Sequence, residues 1–175
     1  MKKMFIFILL LLTVSMGAMA QESRKERRLD RDREKAAEIE KLIEKGNLRF
    51  LAQFALPMSG GSIHLTSEYT LDIEGNKVTS WLPFYGRAYS VSYNTREGGI
   101  KFSETVDKPA WKKVKHGYRT LIEVRTRDEF YSLNLFVSDS GFGTLDVGSK
   151  NRQPISFNGI VVKLEDKEEK QAKTP

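Results

Sequence analysis

Few residue types in this chain are suited to covalent chemistry, and their spacing narrows the choice further. The two histidines, His64 and His116, sit after a Gly-Gly-Ser loop and inside a lysine-rich run, and neither belongs to a nucleophile motif such as G-x-S-x-G. Cysteine is absent, so a structural zinc site would have to be completed by carboxylates, which disfavours it. The acidic residues are scattered with no spacing that marks an acid and base pair. Gly60-Gly61-Ser62 precedes a predicted strand, not a helix, and lacks the helix N-terminus that makes a phosphate cradle. The expectation is a non-enzymatic protein with no cofactor and no metal.

Binding chemistry is better represented. Trp81-Leu82-Pro83-Phe84-Tyr85-Gly86-Arg87-Ala88-Tyr89 is the densest aromatic stretch, and Pro83 and Gly86 interrupt the strand period within it. Aromatic side chains beside an arginine at a strand break suit a ligand mouth or a partner patch, which makes Trp81, Phe84, Tyr85, Arg87 and Tyr89 the candidate contact residues. The same pattern also describes a packed corner whose rings close one end of the core. Lys108, Lys112, Lys113, Lys115, His116 and Arg119 surround Trp111. That segment either attracts an anionic partner or is an edge strand guarded by lysines.

The elements that position these residues change character at Gly46. Residues 21–46 form a charged helix in this reading, free of Gly and Pro from Glu22 to Lys45 and rich in strong helix formers. Basic residues find acids three positions on, as Arg27 with Asp30, Arg31 with Glu34 and Lys35 with Glu38. Only Ala36, Ile39, Leu42 and Ile43 make an apolar stripe, so the last turns dock and the first half is solvated.

From Asn47 to Leu164 the apolar period becomes two. Phe50, Ala52, Phe54 and Leu56 alternate in a first strand, and Tyr69, Leu71 and Ile73 share one face of a second. Further strands are expected over Val78–Leu82, Ala88–Tyr93, Ile100–Phe102, Tyr118–Thr126, Phe130–Ser138, Phe142–Val147 and Ile155–Val162. Turn signals between them, with no amphipathic helix, predict an antiparallel all-β domain, a barrel-like meander with a β-sandwich as the alternative. Residues 165–175 read as a disordered charged tail.

The first twenty residues specify a compartment. Lys2 and Lys3, the apolar run Phe5–Leu12 and the small-x-small pattern Ala18-Met19-Ala20 describe a signal peptide over residues 1–20, cleaved before Gln21. The apolar run is too short for a retained membrane span. The expected location is the periplasm or cell envelope, or outside the cell. A formal charge of +6, which includes Lys2 and Lys3, is too mild for nucleic-acid binding.

Several of these segments resemble a known family. Leu82-Pro83-Phe84-Tyr85-Gly86-Arg87-Ala88-Tyr89, Gly98-Gly99-Ile100-Lys101-Phe102 and the run from Ser149 to Gly159 are similar to domain of unknown function 4251, a family of exported bacterial proteins. The similarity extends from about Glu38 to Val162. It implies one exported domain and brings no activity, cofactor or catalytic residue. The functional expectation is an exported binding protein that recognises a small apolar molecule, a glycan or an envelope protein. The alternative is an assembly role in which the N-terminal helix engages the partner.

Overall fold

The computed structural model describes residues 25–89 and 99–164. The expected signal peptide, residues 21–24, the continuation of the Ala88–Tyr93 strand with its turn, and the tail lie outside the described residues.

Helix α1 covers residues 25–45, and Gly46 ends it. Gly46 has a φ of 62°, a left-handed conformation that glycine adopts without a Cβ penalty, and its N–H donates to the Ile43 carbonyl at 3.1 Å. Ile39, Leu42 and Ile43 are buried against the sheet, whereas residues 25–35 are exposed. Of the expected surface pairs, Arg31 with Glu34 and Lys35 with Glu38 do not form among the described residues. Asp30 pairs with Arg33 at 3.8 Å, and Arg31 Nε donates to the Arg27 carbonyl. Exposed pairs differ by only tenths of a kcal/mol, so rotamer freedom decides among partners.

Among the described residues nine strands follow: β1 (Asn47–Pro57), β2 (Ile63–Glu74), β3 (Lys77–Pro83), β4 (Gly99–Thr105), β5 (Lys112–Val114), β6 (Gly117–Arg125), β7 (Phe130–Ser138), β8 (Phe142–Ser149) and β9 (Ile155–Lys163). They form one sheet in the order β4-β3-β2-β1-β9-β8-β7-β6-β5, with every neighbour antiparallel. Two meanders, β1–β4 and β5–β9, are thus fused through the β1–β9 pair, and the sheet curls into a half-barrel.

Strand parity sets how the two edges face each other. Each strand reverses direction relative to its neighbour and the sheet has nine strands, so edges β4 and β5 run the same way. Antiparallel pairing cannot join them. The connection 106–111 crosses between the edges instead. Val106 N–H donates to the Asn76 carbonyl at 2.8 Å, and the Val106 and Trp111 side chains pack on the core.

The concave face is filled by side chains. Leu48, Phe50, Leu71, Ile73, Leu133, Leu135, Leu145 and Phe157 are each fully buried there, and each contributes about 1.5–3 kcal/mol by leaving water. The strict alternation expected in β1 fails after Ala52. A bulge between Ala52 and Phe54 shifts the register, so Ala55 turns inward and Phe54 is left 39% exposed. Inward glycines make the tight curl possible: a Cβ at Gly143 would lie 2.8 Å from the Phe50 ring.

The register gives the half-barrel two distinct ends. Helix α1 sits at the end holding the β2–β3 turn, where Gly75 N–H donates to the Gly46 carbonyl at 2.7 Å. The opposite end receives segment 84–89 and the loop between β8 and β9.

Candidate functional site

After Pro83 closes β3, the chain crosses to the β8–β9 loop. Arg87 N–H donates to Gln153 Oε1 at 3.1 Å, Gln153 N–H returns a bond to the Arg87 carbonyl, and Tyr89 N–H donates to Asn151 O at 2.7 Å. Over its described part, the strand expected from Ala88 is therefore a single bridge from Ala88 to Arg152. Pro154 has no N–H to extend that ladder, which fits a bridge in place of a strand.

Arg152 organises this end. Its Nε lies 3.4 Å from Glu129 Oε2, with both side chains nearly buried, and Nη1 donates to the Gly99 carbonyl at 2.9 Å. The guanidinium also lies 5.2 Å from the centre of the Phe84 ring. Glu129 Oε1 accepts from Ser149 Oγ and from the Asn151 N–H. A desolvated ion pair is tolerable when such bonds fill its remaining capacity, and this one ties β4, the aromatic segment and the β8–β9 loop together. Burial pushes the nearby Tyr131 phenol up, and the Arg152 charge opposes that shift.

The five candidate residues separate into two groups. Phe84 and Tyr85 are half-buried and pack against the core, as a closed corner requires. Arg87 is exposed and is held through its backbone. Tyr89 is 69% exposed, and Trp81, on the convex side of β3, is 51% exposed with Lys101 Nζ 3.8 Å from its ring centre.

A further apolar feature escaped the sequence reading. The register places Trp81 opposite Thr70, Thr70 opposite Leu51, Leu51 opposite Ile160, and Ile160 opposite Phe142. This outward row crosses five strands, β3, β2, β1, β9 and β8, over about 19 Å at the usual strand spacing. Phe142, at its far end, is 65% exposed. The available signal was that Leu51 and Ile160 are apolar at positions the alternation assigns to solvent.

The lysine-rich segment contains the short edge strand β5, whose three residues are exposed. Lys113 Nζ reaches Glu40 Oε1 at 3.3 Å, and Tyr118 Oη donates to the same oxygen at 2.6 Å. These bonds hold the Glu40 carboxyl below its ordinary range, Tyr118 contributing most and Lys113 next.

The His64 ring packs at 5.1 Å from Phe54. His116, in the β5–β6 turn with a φ of 63°, lines an open cleft with Ser138, Asp139 and Ser140 and with Arg28, Arg31, Asp32 and Lys35 of α1. The two serine hydroxyls bond to each other at 2.9 Å, and Asp139 meets His116 through its backbone N–H. Among the described residues the His116 imidazole bonds to no serine or carboxylate, no group of three or more His, Asp or Glu is placed to hold a metal, and no helix is long and apolar enough to cross a membrane.

A comparison with curated proteins finds no match. Among solved structures, the crystal structure of a DUF4251 family protein from Bacteroides eggerthii DSM 20697 is similar at 12% identity. It covers 81% of this chain and 95% of that one with a TM-score of 0.59. At that identity the likeness concerns the fold. The family model for the domain of unknown function DUF4251 matches residues 30–161, which take in α1 from its second turn, both meanders, the Arg152 cluster and the aromatic segment. With its half-barrel and its corner motif both accounted for, the chain belongs to the DUF4251 family.

Proposed function

We propose that this chain is a non-enzymatic, exported binding protein of the cell envelope that recognises a protein surface through its convex face. The observation that carries this reading is the row from Trp81 to Phe142. Its concave counterpart is occupied by the core, whereas this row ends in two aromatic side chains that are each more than half exposed. A span of about 19 Å exceeds a single sugar or a small apolar molecule and matches the central patch of a protein interface. Tyr89 lies at the aromatic end of the domain and extends the contact region proposed from the sequence. Export rests on the Lys2 to Ala20 pattern.

The test is partner capture by the chain and by a Trp81→Ala/Phe142→Ala variant. Both side chains are exposed, so the variant should keep the parental Tm and lose capture at least tenfold. Undiminished capture by the folded variant would move recognition elsewhere. A second reading, engagement through α1, is favoured by Leu29, which is 48% exposed on an otherwise charged helix half. Deletion of residues 21–35 separates the two, since it removes capture only under the second reading.

A further inference from the structure

The cleft beside α1 has a composition that the convex-face reading does not use. Arg28, Arg31, Asp32 and Lys35 repeat at helical spacing and so lie along one side of α1, facing His116, Ser138, Asp139 and Ser140 from the β5–β6 and β7–β8 turns. Cations from the mixed-charge segment 28–35 and the lysine-rich segment 112–119, far apart in sequence, are thereby brought to one place. Lys113 and Lys115 flank the His116 wall, and Lys113 is tied to α1 through Glu40.

The cations of the α1 wall, Arg28, Arg31 and Lys35, are not held in ion pairs among the described residues, and Arg31 spends only its Nε, on the Arg27 carbonyl. The guanidinium groups keep planar N–H pairs, the donor arrangement that matches two oxygens of one anion. Hydroxyl donors stand on the opposite wall, where Ser140 Oγ can rotate away from Ser138. The cleft measures about 680 Å³ and is open, so it has room for an oxyanion and for the group esterified to it. Asp32 and Asp139 in the same walls oppose an anion and limit the affinity.

We propose that this cleft binds a phosphate-type oxyanion, the chemistry shared by soluble phosphate esters and phospholipid headgroups, through Arg28, Arg31 and Lys35. Given the two aspartates, dissociation constants for the bare anion fall in the roughly millimolar range. Inorganic phosphate titrated into the isotope-labelled chain at constant ionic strength should shift the His116, Asp139 and Ser140 amide resonances saturably. An Arg28→Gln/Lys35→Gln variant, altered only at exposed positions, should keep its Tm and bind at least fivefold more weakly. Vesicles of phosphatidylglycerol, compared with phosphatidylcholine, distinguish the sources. Variant-sensitive sedimentation with the anionic vesicles assigns a lipid headgroup, and saturable phosphate shifts without sedimentation assign a soluble ester. The proposal fails if neither probe binds, if chloride reproduces the shifts, or if the variant binds as the parent does.

Discussion

The Phe102 ring of β4 stacks on the Tyr131 ring of β7, with ring centres 5.3 Å apart and planes 26° from parallel. These residues lie on opposite limbs of the sheet, β4 at one edge and β7 two strands in from the other. Among the described residues no ladder joins the like-directed edges β4 and β5, so side-chain contact links the limbs from inside. The curl is tight because rings meet where a wider barrel would leave space.

It follows that Phe102 and Tyr131 are energetically coupled. Tyr131→Ala, at a buried position, should cost about 3–5 kcal/mol. In a double-mutant cycle with Phe102→Ala by urea denaturation, the coupling should be about 0.5–1.5 kcal/mol. Additive effects would show that this ring contact does not couple the two limbs.

Arg152 and Glu129 give a second prediction. Their ion pair is nearly out of solvent, so removing one partner leaves an uncompensated buried charge. Arg152→Met should destabilise by about 3–5 kcal/mol, whereas Arg152→Met/Glu129→Leu should recover much of the loss. Amide exchange at Tyr89, whose N–H reaches the Asn151 carbonyl, should rise in the single variant. If Arg152→Met proves neutral, the pair does not hold this corner.

How much of this was legible in the sequence depends on the range of the interaction. The strands expected over Tyr118–Thr126 and Phe130–Ser138 coincide with β6 and β7 to within a residue or so, because a two-residue period is a local property. The stripe of Ile39, Leu42 and Ile43 likewise gave the docking face of α1. The bulge after Ala52 left no such trace, since Gln53 is neither Gly nor Pro and only the pairing with β2 and β9 reveals it. The β1–β9 pair, which makes one sheet of two meanders, joins residues about a hundred positions apart. Within the candidate site, the sequence placed aromatics at a strand break but could not divide them. Phe84 is drawn inward by Arg152 and Trp81 is left out by its register, and both outcomes depend on distant strands.

Gly159 supplies a steric prediction. A Cβ at this position would overlap the Leu51 carbonyl oxygen, which belongs to the backbone of the neighbouring strand and cannot rotate away. Gly159→Ala must therefore open the β1–β9 seam beside the bulge, at a cost of at least about 2 kcal/mol, comparable to an overpacked core. Gly61→Ala, at a position with open space around it, is the control and should change stability by less than about 0.5 kcal/mol. Equal effects of the two would mean that the seam relaxes freely.

The contact between α1 and β6 should depend on pH at both extremes. The Glu40 carboxyl, held below its ordinary 4.5 first by the Tyr118 hydrogen bond and then by Lys113, favours the docked state when ionised. Its contribution is therefore complete above the unfolded value and is lost as pH falls through the lower folded one. Tyr118 behaves in the opposite sense. Its phenol is raised above 10.0, chiefly by donating to Glu40 and next by burial, so its contribution is present below that value and lost as pH rises through the folded one. Amide exchange along α1 should thus be slowest between these limits and accelerate on either side. Glu40→Gln should flatten the acid limb, and Tyr118→Phe should remove the alkaline limb and weaken the acid one, because it takes away the larger cause of the Glu40 shift. An acid limb unchanged in both variants would place the pH sensitivity of α1 in a different carboxylate.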